Sequence, residues 1–135
     1  MAESVVWCDA SVDQRYGLAF GAYIGEGMIR PAVVRVAGKS PVDAEILTMV
    51  EAIKAMPRRS LIMTDLAHIV GIVESHKGYC VNLLLAAMEQ NDSFVQYCQR
   101  SLRKDEYHMC HLAAREKMRQ ERRVLRSTGR RVPVA

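Results

Sequence analysis

Val5-Val6-Trp7-Cys8-Asp9 is a short apolar run that ends on an acid. Successive apolar side chains suit a strand buried on both faces, and the spacing predicts a strand over about residues 4–10 with Asp9 at its carboxyl end. Outward from it, Tyr16-Gly-Leu-Ala-Phe-Gly-Ala-Tyr-Ile24 and Met28-Ile-Arg-Pro-Ala-Val-Val-Arg-Val36 are two further strand-like runs, separated by Gly25-Glu26-Gly27. A glycine-flanked tight turn joins antiparallel strands. Pro31 has no N–H to give a ladder, so the third strand is expected at a sheet edge or bulged near that residue.

Ser40-Pro41-Val42-Asp43 then opens a helix: Ser40 can cap, Pro41 suits the first helical position and Asp43 complements the helix dipole. Ile46, Leu47, Val50, Ile53 and Ala55 keep a helical period to about Met56, where Pro57 stops it. Ser60-Leu-Ile-Met-Thr64 is a brief apolar run that reads as a buried parallel strand, and it too ends on an acid, Asp65. Residues 66–75 and 79–90 are expected as helices, residues 94–99 as a last strand and Asp105 to about Leu125 as a long helix, acidic at its start and basic at its end. The order β-β-β-α-β-α-α-β-α predicts one α/β domain over residues 1–125 and a basic tail over 126–135.

A chain of 135 residues, half of them hydrophobic, can bury a single core unaided. Without a long apolar run or a signal-like start it is expected to be cytoplasmic, with no membrane partner. Cys8, Cys80, Cys98 and Cys110 lack C-x-x-C spacing, which predicts reduced thiols rather than zinc ligands or a disulfide framework. The net charge of +4 is unevenly placed: residues 115–135 carry +6 and residues 1–114 carry −2. Arg115, Lys117, Arg119, Arg122, Arg123, Arg126, Arg130 and Arg131 make a basic end of the kind that binds phosphates, though a solvated helix end has the same composition.

In sheets with parallel central strands, functional groups gather beyond the carboxyl ends of those strands. Asp9 and Asp65 are expected there, and Glu45, early in the first helix, can lean toward the same end. Carboxylates held close together repel one another, and hard cations such as Mg²⁺ or Mn²⁺ relieve this by taking oxygen ligands.

Trp7-Cys-Asp9-Ala-Ser11 followed by Tyr16-Gly-Leu-Ala-Phe-Gly-Ala-Tyr23 resembles the opening hairpin of ribonuclease H type 1 and retroelement ribonuclease H domains. Asp43-Ala-Glu45-Ile-Leu-Thr-Met-Val-Glu-Ala-Ile53 is similar to that family's glutamate helix, Leu61-Ile-Met-Thr-Asp65 to its fourth strand, and Cys110-His111-Leu-Ala-Ala-Arg115 to its closing helix. The resemblance covers about residues 4–118. It implies a mixed five-stranded sheet, its first three strands antiparallel and the rest parallel, with helices on both faces. It also implies hydrolysis of the RNA strand of RNA–DNA hybrids by two Mg²⁺ or Mn²⁺ ions, with no small-molecule cofactor. Asp9 would bridge the ions, Glu45 and Asp65 would complete one site each, and His111, standing where the family has its fourth acid, would serve the second ion. His108, one turn earlier, is the auxiliary candidate as ligand or proton shuttle. Ser11, Arg115, Arg119, Arg122 and Arg123 are the expected nucleic-acid contacts.

The departures define the alternatives. Ser101-Leu-Arg-Lys-Asp-Glu106 has no histidine where the family has its mobile histidine loop, Leu66, Ala67 and His68 replace polar hybrid contacts, and the family's basic protrusion helix is missing. A histidine in the closing helix occurs in related metal-dependent resolvases, which points to branched or single-stranded DNA as another substrate. A non-catalytic module that binds nucleic acid or protein is the third reading.

Overall fold

The structure is a computed structural model that describes residues 4–37, 40–75, 77–98 and 105–128. Its elements are β1 (Ser4–Asp13), β2 (Leu18–Gly25), β3 (Ala32–Arg35), α1 (Pro41–Ala55), β4 (Ser60–Thr64), α2 (Ile69–Glu74), α3 (Tyr79–Asn91), β5 (Phe94–Tyr97) and α4 (Asp105–Thr128). They form one five-stranded sheet ordered β3-β2-β1-β4-β5, antiparallel across β3, β2 and β1 and parallel across β1, β4 and β5. This is the expected mixed sheet in the ribonuclease H-like layout. None of the described helices is long and apolar enough to cross a membrane, and none of the four cysteines is in a disulfide.

Strand alternation divides the core between two faces. Val6, Cys8, Tyr23 and Ile62 face α1 and α3, where they meet Ile46, Met49, Ile53, Val81 and Leu84. Trp7, Ala22 and Ile24 face α4, where they meet Cys110 and Ala114. Leu18 and Phe20 continue that side onto Met118 and Leu125. With both faces covered, every residue of β2 is buried, so its sequence alternates in side-chain direction but not in polarity.

Local chemistry sets the ends of the elements. The Asp43 N–H donates to Ser40 Oγ at 3.1 Å and Pro41 stands in the first turn, as expected. Gly27, at φ +85, makes the β2–β3 turn, closed by the Met28 N–H on the Gly25 carbonyl at 3.1 Å. β3 is an edge strand and begins only after Pro31. Gly21 has another reason to be glycine: a Cβ there would lie 2.0 Å from Thr48 Oγ1, so its absence lets α1 seat close on the sheet.

Several boundaries differ from the sequence reading, the strands expected over 28–36 and 94–99 among them, which shorten to Ala32–Arg35 and Phe94–Tyr97. β1 runs to Asp13 rather than residue 10, and Tyr16 and Gly17 belong to the turn instead of to β2. The Tyr16 N–H donates to Asp13 Oδ1 and Gly17 takes φ +66, so a side-chain-capped turn displaces the first two residues of the apolar run. α2 starts at Ile69 because His68 adopts a left-handed backbone (φ 64), which a helix cannot include. α4 continues to Thr128, so residues 126–128 are helix, and the rest of the expected tail lies outside the described residues.

Candidate metal centre

The last rung of the parallel ladder between the two central strands is Trp7 with Met63. Beyond it the strands part, and the residues two positions on, on the same face, are Asp9 and Asp65. Asp9 is therefore not at the end of β1 but at the end of its parallel pairing, since β1 continues to Asp13 as the partner of β2. Glu45 arrives from α1 on the opposite face, where Thr64 Oγ1 donates to its Oε1 at 2.9 Å. Thr64 is itself held at the strand end, accepting from the Leu66 N–H at 3.1 Å.

The three carboxylates each offer an oxygen within 4.8 Å of the others. Two carboxylates at that separation repel by roughly 3 kcal/mol at an effective dielectric of about 20. Water does little to relieve this, because Asp9 is only 4 % and Glu45 only 6 % exposed. Burial, the largest influence on Asp9, pushes its pKa up. The hydrogen bond from His111 pulls it back in part, the charge of Asp65 pushes it further up, and the balance lies above the ordinary carboxylate value. A buried, converging, oxygen-only donor set fits a hard divalent cation such as Mg²⁺ or Mn²⁺.

α4 closes the site. Tyr107 Oη lies 3.2 Å from Asp9 Oδ1 and 2.9 Å from Asp65 Oδ2, and His111 Nδ1 lies 2.8 Å from Asp9 Oδ2. Both oxygens of Asp9 are thus engaged from one helix, by two rings stacked with centroids 6.1 Å apart. The small residues Ala22, Cys110 and Ala114 let the helix come this near to the sheet.

The expected site residues are distributed unevenly. Asp9, Glu45 and Asp65 converge, and His111 joins through Asp9. His108 is exposed, and the residue that reaches the cluster from the preceding turn is Tyr107. Ser11 is half-buried on the Asp9 face of β1. Arg115, one turn after His111, and Arg123 are exposed, whereas Arg119 pairs with Glu116 at 3.2 Å and Arg122 Nε with Asp13 Oδ2 at 2.5 Å. Residues 101–104 of the segment aligned with the histidine loop, together with Arg130 and Arg131, lie outside the described residues.

Sequence reasoning missed Tyr107 and Thr64. Tyr107 had a signal, since it precedes His111 by four residues and so lies about 40° from it around the helix, closer than His108 at about 60°. Thr64 had only its place before Asp65, which turns its hydroxyl to the opposite face, toward α1. No family model matches the chain, and no curated protein matches it either.

Proposed function

We propose that this protein is a metal-dependent nuclease of the ribonuclease H type that hydrolyses the RNA strand of RNA–DNA hybrids. The observation that carries this reading is the convergence of Asp9 on β1, Glu45 on α1 and Asp65 just after β4, within 4.8 Å, where the parallel pairing of the central strands ends. The burial of two of the three acids supports it, as does the order of the motifs along a ribonuclease H-like sheet.

Asp9, Glu45 and Asp65 would hold the cations. Because the His111 Nδ1 faces Asp9, Nε2 is the nitrogen left to serve as a further ligand. When bound, Mg²⁺ or Mn²⁺ supplies an activated water and stabilises the leaving oxygen of an in-line phosphoryl displacement. The protein's own work is orientation: Tyr107 and His111 fix the carboxylate plane of Asp9, and Thr64 fixes Glu45. Exposed Arg115, on the His111 side of α4, offers a phosphate contact beside the cluster, and 2′-hydroxyl contacts would supply the preference for RNA. A cytoplasmic location goes with this reading.

The Leu66-Ala67 pair after Asp65, with Ala67 and His68 exposed, favours a second substrate for the same chemistry: branched or single-stranded DNA. Labelled hybrid, duplex DNA, single strands and a four-way junction, each incubated with Mn²⁺, separate the readings. Cleavage of the hybrid is expected, abolished by EDTA and by Asp9→Asn. A hybrid left intact, or full activity in Asp9→Asn, sinks the proposal, and cleavage of the junction alone moves it to the second substrate.

A further inference from the structure

Tyr107 is only 5 % exposed. A buried tyrosine hydroxyl needs a hydrogen-bond partner, and a backbone carbonyl would meet that need. Here it stands between two acids, 3.2 Å from Asp9 Oδ1 and 2.9 Å from Asp65 Oδ2. It has one proton, so it donates to one carboxylate at a time and links the pair whichever it chooses. His111 takes the other oxygen of Asp9, and the Tyr107 and His111 rings lie 22° from parallel. α4 therefore grips Asp9 at both oxygens and reaches across to Asp65 from the same turn.

We propose that Tyr107 is a positioning residue of this centre: its hydroxyl ties Asp9 to Asp65 and sets the spacing at which the two carboxylates offer oxygens to a divalent cation. This rests on reading the cluster as a metal centre. Without the hydroxyl, two like charges within 4.8 Å of each other lose a shared donor and turn apart, so a cation must draw them together again as it binds. Partners that orient metal ligands in this way typically change metal affinity by about ten- to a hundredfold when removed. Phenylalanine keeps the ring, and with it the stacking on His111 and the packing of α4.

The test is calorimetric titration of Mn²⁺ into the wild-type chain, Tyr107→Phe, Asp65→Asn and the double variant, with thermal unfolding of each in EDTA. Tyr107→Phe is expected to bind Mn²⁺ about ten- to a hundredfold more weakly while unfolding in EDTA within a few degrees of wild type. In the Asp65→Asn background the same substitution is expected to weaken affinity less than it does in the wild type, because one of the two carboxylates the hydroxyl links is gone and only the Asp9 contact remains. An equal loss in both backgrounds overturns the link. Wild-type protein that takes up no Mn²⁺ overturns the metal centre itself. Wild-type binding matched or exceeded by Tyr107→Phe overturns the positioning role alone. A Tyr107→Phe chain that is unfolded in EDTA makes the hydroxyl a structural group and overturns that role as well.

Discussion

The seam between β1 and α4 has two ends, and each holds an aspartate on the same face of the same strand. At one end Asp9 meets Tyr107 and His111; at the other Asp13 meets Arg122. Burial pushes both pKa values up. At Asp13 the Arg122 guanidinium and the Tyr16 N–H outweigh it and hold the carboxyl below the ordinary range, whereas at Asp9 the partners do not outweigh it and the carboxyl stays raised. The difference lies in the donors α4 supplies. A guanidinium ion-pairs with its carboxylate and outweighs its burial, while a phenol and a ring nitrogen orient a carboxylate whose burial they do not outweigh. A strand and a helix thus make a structural tie and a candidate reaction centre from the same acid, four residues apart.

The largest expected effect comes from removing the charge at the centre. Asp9→Asn should lower hybrid hydrolysis by about three orders of magnitude, several kcal/mol of transition-state stabilisation. It should also raise the unfolding temperature in EDTA. A carboxyl raised in the folded state contributes stability that is fully present below its unfolded pKa of about 3.9 and is lost as pH rises through the folded value. The metal-free wild type should therefore lose stability across that window, and thermal scans from pH 4 to 8 should show a flatter slope in Asp9→Asn. A variant no more stable than wild type at pH 7 would break the contrast at its acidic end.

Gly21→Ala tests whether the centre depends on how closely α1 is seated. The added Cβ would meet Thr48 Oγ1 at 2.0 Å, and overpacking of this kind costs about 1–3 kcal/mol by urea denaturation. Mn²⁺ affinity should weaken with it, since Glu45 rides on the same helix. Unchanged stability would show that α1 moves aside without cost.

A smaller change is expected at the tie. Asp13→Asn should cost about 1 kcal/mol, because the Arg122 side chain is 36 % exposed and solvent screens its end of the pair, even though the Asp13 side chain is only 12 % exposed. A lowered carboxyl contributes stability that is present above its unfolded pKa and lost as pH falls through the folded value, so the acid limb of unfolding should flatten in this variant while hydrolysis at pH 7 is kept. Loss of hydrolysis would place Asp13 in the centre and erase the distinction. The smallest effect is expected for Arg115→Ala: the slope of log affinity against log salt for nucleic acid should fall by about one, with stability unchanged.

Much of this was legible in the chain. The α1 start at Ser40-Pro41, the β4 run ending at Asp65 and the edge character of the Pro31 strand follow from propensities that act between neighbours, and those propensities survive folding. The start of α2 did not follow, because nothing beside His68 announces its left-handed backbone. Of the candidate site, the three acids were legible because Asp9 and Asp65 each close a short apolar run and Glu45 lies early in a helix with a clear start, although Asp9 falls within β1 rather than at its end. Tyr107 showed only in its spacing from His111, whereas Thr64 and the pairing of Arg122 with Asp13 were hidden: Thr64 looks like an ordinary core residue, and the pair joins positions 109 apart in sequence.

By itself the sequence determined the kinds and order of the elements and the presence of two acids closing apolar runs and a third early in a helix, since periodicity, caps and breakers are read within a few residues. Only the tertiary structure decided which arginines are engaged with acids, that Tyr107 rather than His108 faces the cluster, and that Asp9 and Asp13 differ. Those outcomes depend on the rotation and seating of α4 against β1, which arise from small side chains packing across the seam and which no local stretch of either element encodes.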